Sequence, residues 1–187
     1  LRRSRGLGDV YKRQIFLDLK FHDIPNTVAS AVEVASEMGV WMLNVHTSGG
    51  SKMMEAARLA ANKSANPPLV IGVTILTSLN QVDMNELGVK DISNQINDLA
   101  SLAHKSSLDG IVCSAGDVRN IKSLLGEDFL TITPGIRPIS APKDDQSRIS
   151  SAKQAIEDGS DYLVIGRPIT QSSDPLKSLE IFLKEIG

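Results

Sequence analysis

Cysteine occurs once in the 187 residues, as Cys113. No internal disulfide can form, and such sparing use fits a reducing compartment, so a cytoplasmic location is expected. Cys113 falls inside the apolar run "GIVC" and reads as a small core residue in preference to a nucleophile. Long apolar runs are missing too: nothing approaches the ~18 consecutive apolar residues of a membrane span. The N-terminus lacks the apolar segment of a secretory signal. An excess of either sign of charge is missing as well: 20 basic against 22 acidic residues leave a formal net charge of −2. Neither nucleic acid nor an anionic membrane is therefore expected as the main partner. Histidine appears three times, as His22, His46 and His104, without close metal-ligand spacing, so no zinc site is expected.

What remains is a chain 41% hydrophobic, long enough for one sizeable core and too short for two full domains. Its charge is unevenly spread. Residues 1–14, "LRRSRGLGDVYKRQ", carry +4, which leaves −6 on the other 173 residues. From Ile15 onward, short β-branched runs alternate with helical patterns. Strands are expected at Ile15–Lys20, Trp41–His46, Leu69–Ile75, Gly110–Cys113, Phe129–Thr133 and Tyr162–Ile165. Their near-continuous apolar character fits parallel strands covered by helices. Helices are expected near Val28–Met38, Ser51–Ala61, Ile92–Lys105, Val118–Leu125, Ser151–Asp158 and Leu176–Ile186. In the first of these, Val28, Ala31, Val32, Ala35 and Met38 share a face, and Gly39 supplies a stop.

Six strand–helix units fit an open doubly wound sheet or a (β/α)8 barrel. A barrel needs eight units and about 250 residues, so 173 residues make roughly three quarters of one, a TIM barrel lacking about two of its βα units. Residues 1–14 show neither periodicity nor a turn signal before Ile15. They read as a leader foreign to the fold, a sequencing or assembly scar, with a natural basic tail as the plainer alternative. Residues 15–187 then form a single partial barrel domain.

The densest chemistry sits in "IFLDLKFHDIPNT", residues 15–27. Side chains alternate along a strand, so Asp18 and Lys20 share one face while Leu17 and Leu19 share the other. In a barrel the leucines pack against helices, and the charged pair faces the axis near the strand's C-terminal end, where barrel enzymes place their chemistry. A lysine held beside a carboxylate is a ready proton donor to a carbanion; the plainer alternative is an ion pair that only fixes register. Asp23 precedes "IPNTVASAV" and can N-cap that helix with Pro25 in its first turn, a role compatible with catalysis. His46 ends the "WMLNVH" strand, where a structural histidine is the plain reading. Near the C-terminus, "VIGRPIT" follows the last strand and opens a turn. There Gly166 permits close backbone approach to an anion, and Arg167 can bind phosphate through two parallel hydrogen bonds. Before it runs "GIRPISAPKDDQSRI", a long polar loop of the kind that forms lids.

At "DLKFHDI" the sequence resembles the orotidine 5′-phosphate decarboxylase family, through its Asp-x-Lys-x-x-Asp motif. "VTILTS", "DGIVCSA", "TPGIRP", "DQSR" and "DYLVIGRPIT" carry the resemblance, in order, to the C-terminus. It implies a carboxy-lyase that converts orotidine 5′-phosphate to uridine 5′-phosphate, the last step of uridine monophosphate synthesis, without metal or organic cofactor. Asp18, Lys20 and Asp23 are its implied catalytic residues. Thr77 is implied to hydrogen-bond the pyrimidine, and Arg137 and Gln146 to contact the nucleotide, the latter from a closing loop. Gly166 and Arg167 take the phosphate. The assembly implied is a homodimer in which Asp23, Ile24 and Thr27 reach the partner's site. The family also uses an aspartate on its first strand and a lysine on its second, and neither strand is found here. On that reading the 187-residue chain alone is expected to be unstable and nearly inactive, its intact parent being the enzyme. Two rivals stand beside it: a Mg2+-dependent 3-hexulose-6-phosphate synthase or 3-keto-gulonate-6-phosphate decarboxylase on the same motif, and a non-catalytic phosphate-binding fragment. Thr77 and "DDQSR" favour a nucleotide base.

Overall fold

The computed structural model describes residues 14–138 and 150–187. The leader as far as residue 13 and the loop 139–149, with Gln146, lie outside the described residues. The chain divides into two compact units. The first holds the described residues up to Thr74 together with Leu99–Ile111, and the second Ile75–Asp98 with the described residues from Val112 to Gly187.

In the first unit, β1 (Phe16–Phe21) leads through α1 (Pro25–Glu37) to β2 (Met42–His46). A short 3-10 turn at Thr47–Gly49 and α2 (Ser51–Ala61) then lead to β3 (Leu69–Val73). All three strands are parallel, in register Met42↔Leu69 to His46↔Val73 between β2 and β3. The expected helix-covered strands are evident in β2 and β3, where Met42, Leu43, Val45, Val70, Ile71 and Val73 are all buried. Helix α1 buries Val28, Val32 and Ala35 and packs on α2, which buries Met53, Met54 and Ala57. Met38, expected on that face, is the exposed C-cap, because the helix ends one residue early and Gly39 follows with φ +75°.

The second unit contains α3 (Gln81–Glu86), an element with no sequence-level expectation, and α5 (Ala115–Leu125). Its paired strands are β5 (Leu130–Thr133) and β6 (Tyr162–Leu163), parallel through Ile132↔Tyr162 and Thr133↔Leu163. Helices α6 (Ala152–Glu157), α7 (Arg167–Thr170) and α8 (Pro175–Ile186) complete it. Ala115, Ile136, Ala152, Ala155 and Phe182 form its core, with Leu163, Ile165 and Ile169 packed against them. Helix α4 (Ile92–Lys105) and strand β4 (Gly110–Val112) are each divided between the units. Cys113, just after β4, is buried as a core residue.

In each unit neighbouring strands are consecutive in the chain. A doubly wound sheet reverses strand order at a switch point; consecutive parallel strands joined by helices are the barrel pattern. Six strands occur among the described residues, matching the six expected units.

Candidate active site

Strand β1 and its neighbour do not run in even register. Phe16 and Leu17 sit opposite Met42 and Leu43, but Phe21 already lies opposite Val45. Four residues of β1 therefore span two of β2, and the slack is taken up around Asp18–Lys20. Lys20 adopts φ +53°, a left-handed conformation that costs a non-glycine residue roughly 1–2 kcal/mol. The bulge turns the side chains out of simple alternation, and the pair meets on one side: Lys20 Nζ lies 2.7 Å from Asp18 Oδ1. Their side chains are 35% and 43% exposed, so the pair keeps water contact and escapes most of the penalty of a buried ion pair. The expectation for Leu19 fails here. It is 60% exposed rather than packed on a helix, because the bulge breaks the alternation that would have buried it.

The group that reads this bulge is Asn44 on β2. It is fully buried between the apolar Leu43 and Val45. Its Oδ1 accepts from the Lys20 backbone N–H at 2.8 Å, and its Nδ2 donates to Asp18 Oδ1 at 2.6 Å. Sequence reasoning passed over Asn44. The signal was present all the same: a lone amide inside "MLNVH" must find partners when buried.

His46 lies two residues further along β2, its ring centroid 5.2 Å from that of His22. Burial, with help from the neighbouring His22 and Lys20, holds its imidazole below the ordinary value of 6.5, favouring the neutral form.

Asp23, Ile24 and Thr27 are exposed around the start of α1. The expectation that Asp23 caps this helix is corrected. Ile24 is the N-cap, Pro25 holds the first turn, and among the described residues the Asp23 carboxylate accepts only from the Ile24 N–H, at 2.6 Å, short of the helix donors beyond it.

In the second unit, Thr77 is buried, yet not at the end of a strand. The β3 ladder stops at Val73, and Thr77 sits in the turn closed by Leu79 N–H to Leu76 O. Arg137 is buried after β5; its N–H donates to Ser150 O, and its Nη1 donates to Ile136 O at 3.0 Å. Gly166 is the N-cap of α7, and Arg167 opens that helix where a turn was expected. Strand β6 ends at Leu163, two residues earlier than expected. A Cβ added at Gly166 would meet no atom within 4 Å, so the room for an approaching ligand is there. Among the described residues, no three His, Cys, Asp or Glu side chains are grouped closely enough to hold a metal ion.

Residues 5–182 match the model of the orotidine 5′-phosphate decarboxylase / HUMPS family. The chain belongs to this family. Among its relatives, the orotidine 5′-phosphate decarboxylase of Saccharophagus degradans is 55% identical over 92% of this chain and 73% of its own length. That of Psychromonas ingrahamii is 56% identical over 89% of this chain and 72% of its own. The crystal structure of orotidine 5′-phosphate decarboxylase from Lactobacillus acidophilus superposes with a TM-score of 0.80 at 38% identity, covering 93% of this chain and 75% of that one. Family membership and the run of consecutive parallel βα units together make the fold a partial TIM-barrel type. In this decarboxylase family member, the described geometry unites Asp18 and Lys20, adds Asn44, and leaves Gln146 outside the described residues.

Proposed function

We infer that the chain serves decarboxylation of orotidine 5′-phosphate to uridine 5′-phosphate, the activity for which its relatives are named. The observation that carries the reading is the Lys20 ammonium held 2.7 Å from the Asp18 carboxylate at the end of a parallel strand, within the family's Asp-x-Lys-x-x-Asp motif. The C6–carboxylate bond breaks, CO2 departs, and the electron pair stays on C6. Asp18 stands against the departing carboxylate and favours its loss. Lys20 stabilises the charge developing at C6 and donates a proton there, and its neutral amine regains one from water. Charges fixed before the reaction cost no reorganisation as it proceeds, which makes them a leading catalytic contribution.

The proposed substrate contacts follow the same resemblance. Thr77 takes the pyrimidine, Arg137 and Gln146 the nucleotide, and Gly166 with Arg167 the phosphate. A homodimer in which Asp23, Ile24 and Thr27 serve the partner's site is proposed as well; the 65% exposure of Ile24, an apolar side chain, supports it. The single cysteine supports a cytoplasmic setting.

The test is a decarboxylation assay on the protein expressed from its own gene, following orotidine 5′-phosphate absorbance and CO2 release. Lys20→Ala is expected to lower kcat by at least about 100-fold to 10,000-fold, the span of a positioned proton donor. Undiminished turnover in Lys20→Ala would overturn the assignment.

A further inference from the structure

We propose that Asn44 is a positioning residue for this reaction, the group that sets where the Lys20 ammonium and the Asp18 carboxylate stand. It rests on the decarboxylase reading for its kinetic half only.

The argument starts from what the bulge needs. At Lys20 the β1 backbone has left the regular ladder, and its N–H requires an acceptor that no β2 carbonyl supplies in the even-register way. Asn44 Oδ1 supplies it at 2.8 Å. The same amide's Nδ2 donates to Asp18 Oδ1 at 2.6 Å, the oxygen on which Lys20 Nζ also converges at 2.7 Å. One fully buried side chain thus holds the backbone of one catalytic residue and the carboxylate of the other. Only one amide orientation serves, since an oxygen facing Asp18 would repel it. A carboxylate at this position keeps the acceptor and loses the donor, a leucine of similar size loses both, and a glutamine is one methylene too long. Its burial among apolar neighbours locks the rotamer, so the two bonds act as a clamp.

Asn44→Asp separates positioning from mere packing. Two carboxylates at hydrogen-bond distance cannot both ionise freely, so positions 44 and 18 would share a proton with one strongly raised pKa. The shared proton restores the missing donor at low pH. Among the described residues, the other titratable groups around this spot are Lys20 on β1, His46 further along β2 and His22 beside it. Strand β3 offers only Val70, Ile71 and Gly72 opposite. Comparison with the wild-type pH profile removes the contribution of the two histidines.

The experiment uses the protein from its own gene as wild type, Asn44→Asp and Asn44→Leu. In Asn44→Asp kcat is expected to fall about 100-fold near pH 8, the cost of a misplaced reacting group, with KM changed far less. It recovers toward wild type near about pH 5.5 as the shared proton returns. Hydrogen exchange at the Lys20 amide is expected to be slow in the wild type and Asn44→Asp, and fast in Asn44→Leu. A wild-type kcat with a flat profile in Asn44→Asp overturns the proposal, as does equal amide exchange in all three proteins. Should the wild type fail to decarboxylate orotidine 5′-phosphate, the functional reading fails by itself, and the exchange data still decide whether Asn44 holds Lys20.

Discussion

The imidazole of His46 titrates below its ordinary value, and the displacement has a consequence for stability. Its imidazole is half-buried beside His22 and the Lys20 ammonium, both of which discourage a second positive charge. In the unfolded chain the group returns to its ordinary value of 6.5, so below that pH the unfolded state takes up protons before the folded one. The stability due to neutral His46 is therefore full above about pH 6.5 and is lost as pH falls through the lower folded value. His46→Gln should flatten that part of the curve: melting temperatures measured across this window are expected to fall less steeply with acid in the variant than in the wild type. Parallel curves would show that His46 carries none of the slope. Two residues earlier on the same strand, Asn44 shows why part of the site stayed illegible in the sequence. Asp18, Lys20 and Asp23 stand out as charges in an apolar run. Asn44 acts through partners 24 and 26 positions away; a linear reading shows that a lone buried amide needs partners, and is silent on which residues they are. The left-handed Lys20 is equally silent, because only glycine marks that conformation in a sequence.

Elements here are tied down by close approaches and by charged clamps. Gly72 in β3 shows the first device. A Cβ at this position would lie 2.6 Å from Thr47 Cγ2 and 3.2 Å from both Ala103 Cβ and Leu108 Cδ1. Threonine and alanine offer no flexible tip to swing away, so Gly72→Ala should cost about 1–3 kcal/mol through overpacking, a fall of roughly 2–12 °C in Tm by calorimetry. An unchanged Tm would mean that the turn at Thr47 yields freely. The clamps recur in both units. Asp109, just before β4, accepts from the Val70 N–H at 2.7 Å and from Arg58 at 2.6 Å. Asp161, just before β6, accepts from the Thr131 N–H at 2.7 Å and from Lys122 at 2.8 Å. Each aspartate secures the first residues of the preceding strand, and each is held by a cation from a helix. Lys122 is nearly fully buried and also donates to the carbonyls of Glu127 and Phe129. Lys122→Met should therefore destabilise by about 3 kcal/mol, the low end for a broken buried pair because Asp161 keeps some water contact. Denaturant titration reads this directly, and a loss below about 1 kcal/mol, the scale of a surface pair, would count against the clamp. At this scale the sequence was informative where periodicity was long: α2 and α4 begin and end at the expected residues. It was silent on α7, which at four residues is too short to show a repeat, and on α3, whose six residues bury only Met84 and so leave no apolar face to read.

For the whole molecule, the choice between the nucleotide reaction and its sugar-phosphate rivals turns on where the stabilising positive charge comes from. In the proposed decarboxylation it comes from Lys20, whose ammonium is paired with Asp18 by the fold itself and so is in place before substrate arrives. The rivals that share the Asp-x-Lys-x-x-Asp motif use Mg2+ instead. A metal ion acting as Lewis acid is worth several kcal/mol of transition-state stabilisation, so stripping it removes at least about 100-fold in rate. The prediction is that exhaustive EDTA treatment of the protein from its own gene leaves kcat/KM for orotidine 5′-phosphate unchanged, with a sugar phosphate tested in parallel giving no turnover with or without added Mg2+. A Mg2+-dependent reaction on the sugar phosphate would move the assignment to the rival. In that case the Asp18–Lys20 pair would have to be read as an acid–base couple beside a bound Mg2+, a role in which the ammonium no longer supplies the charge at the reacting carbon. The kinetic signature of Lys20→Ala separates the two further. Loss of a group acting chiefly in the transition state lowers kcat and kcat/KM together, whereas loss of a ground-state contact raises KM alone. The decarboxylase reading requires the first pattern, in EDTA.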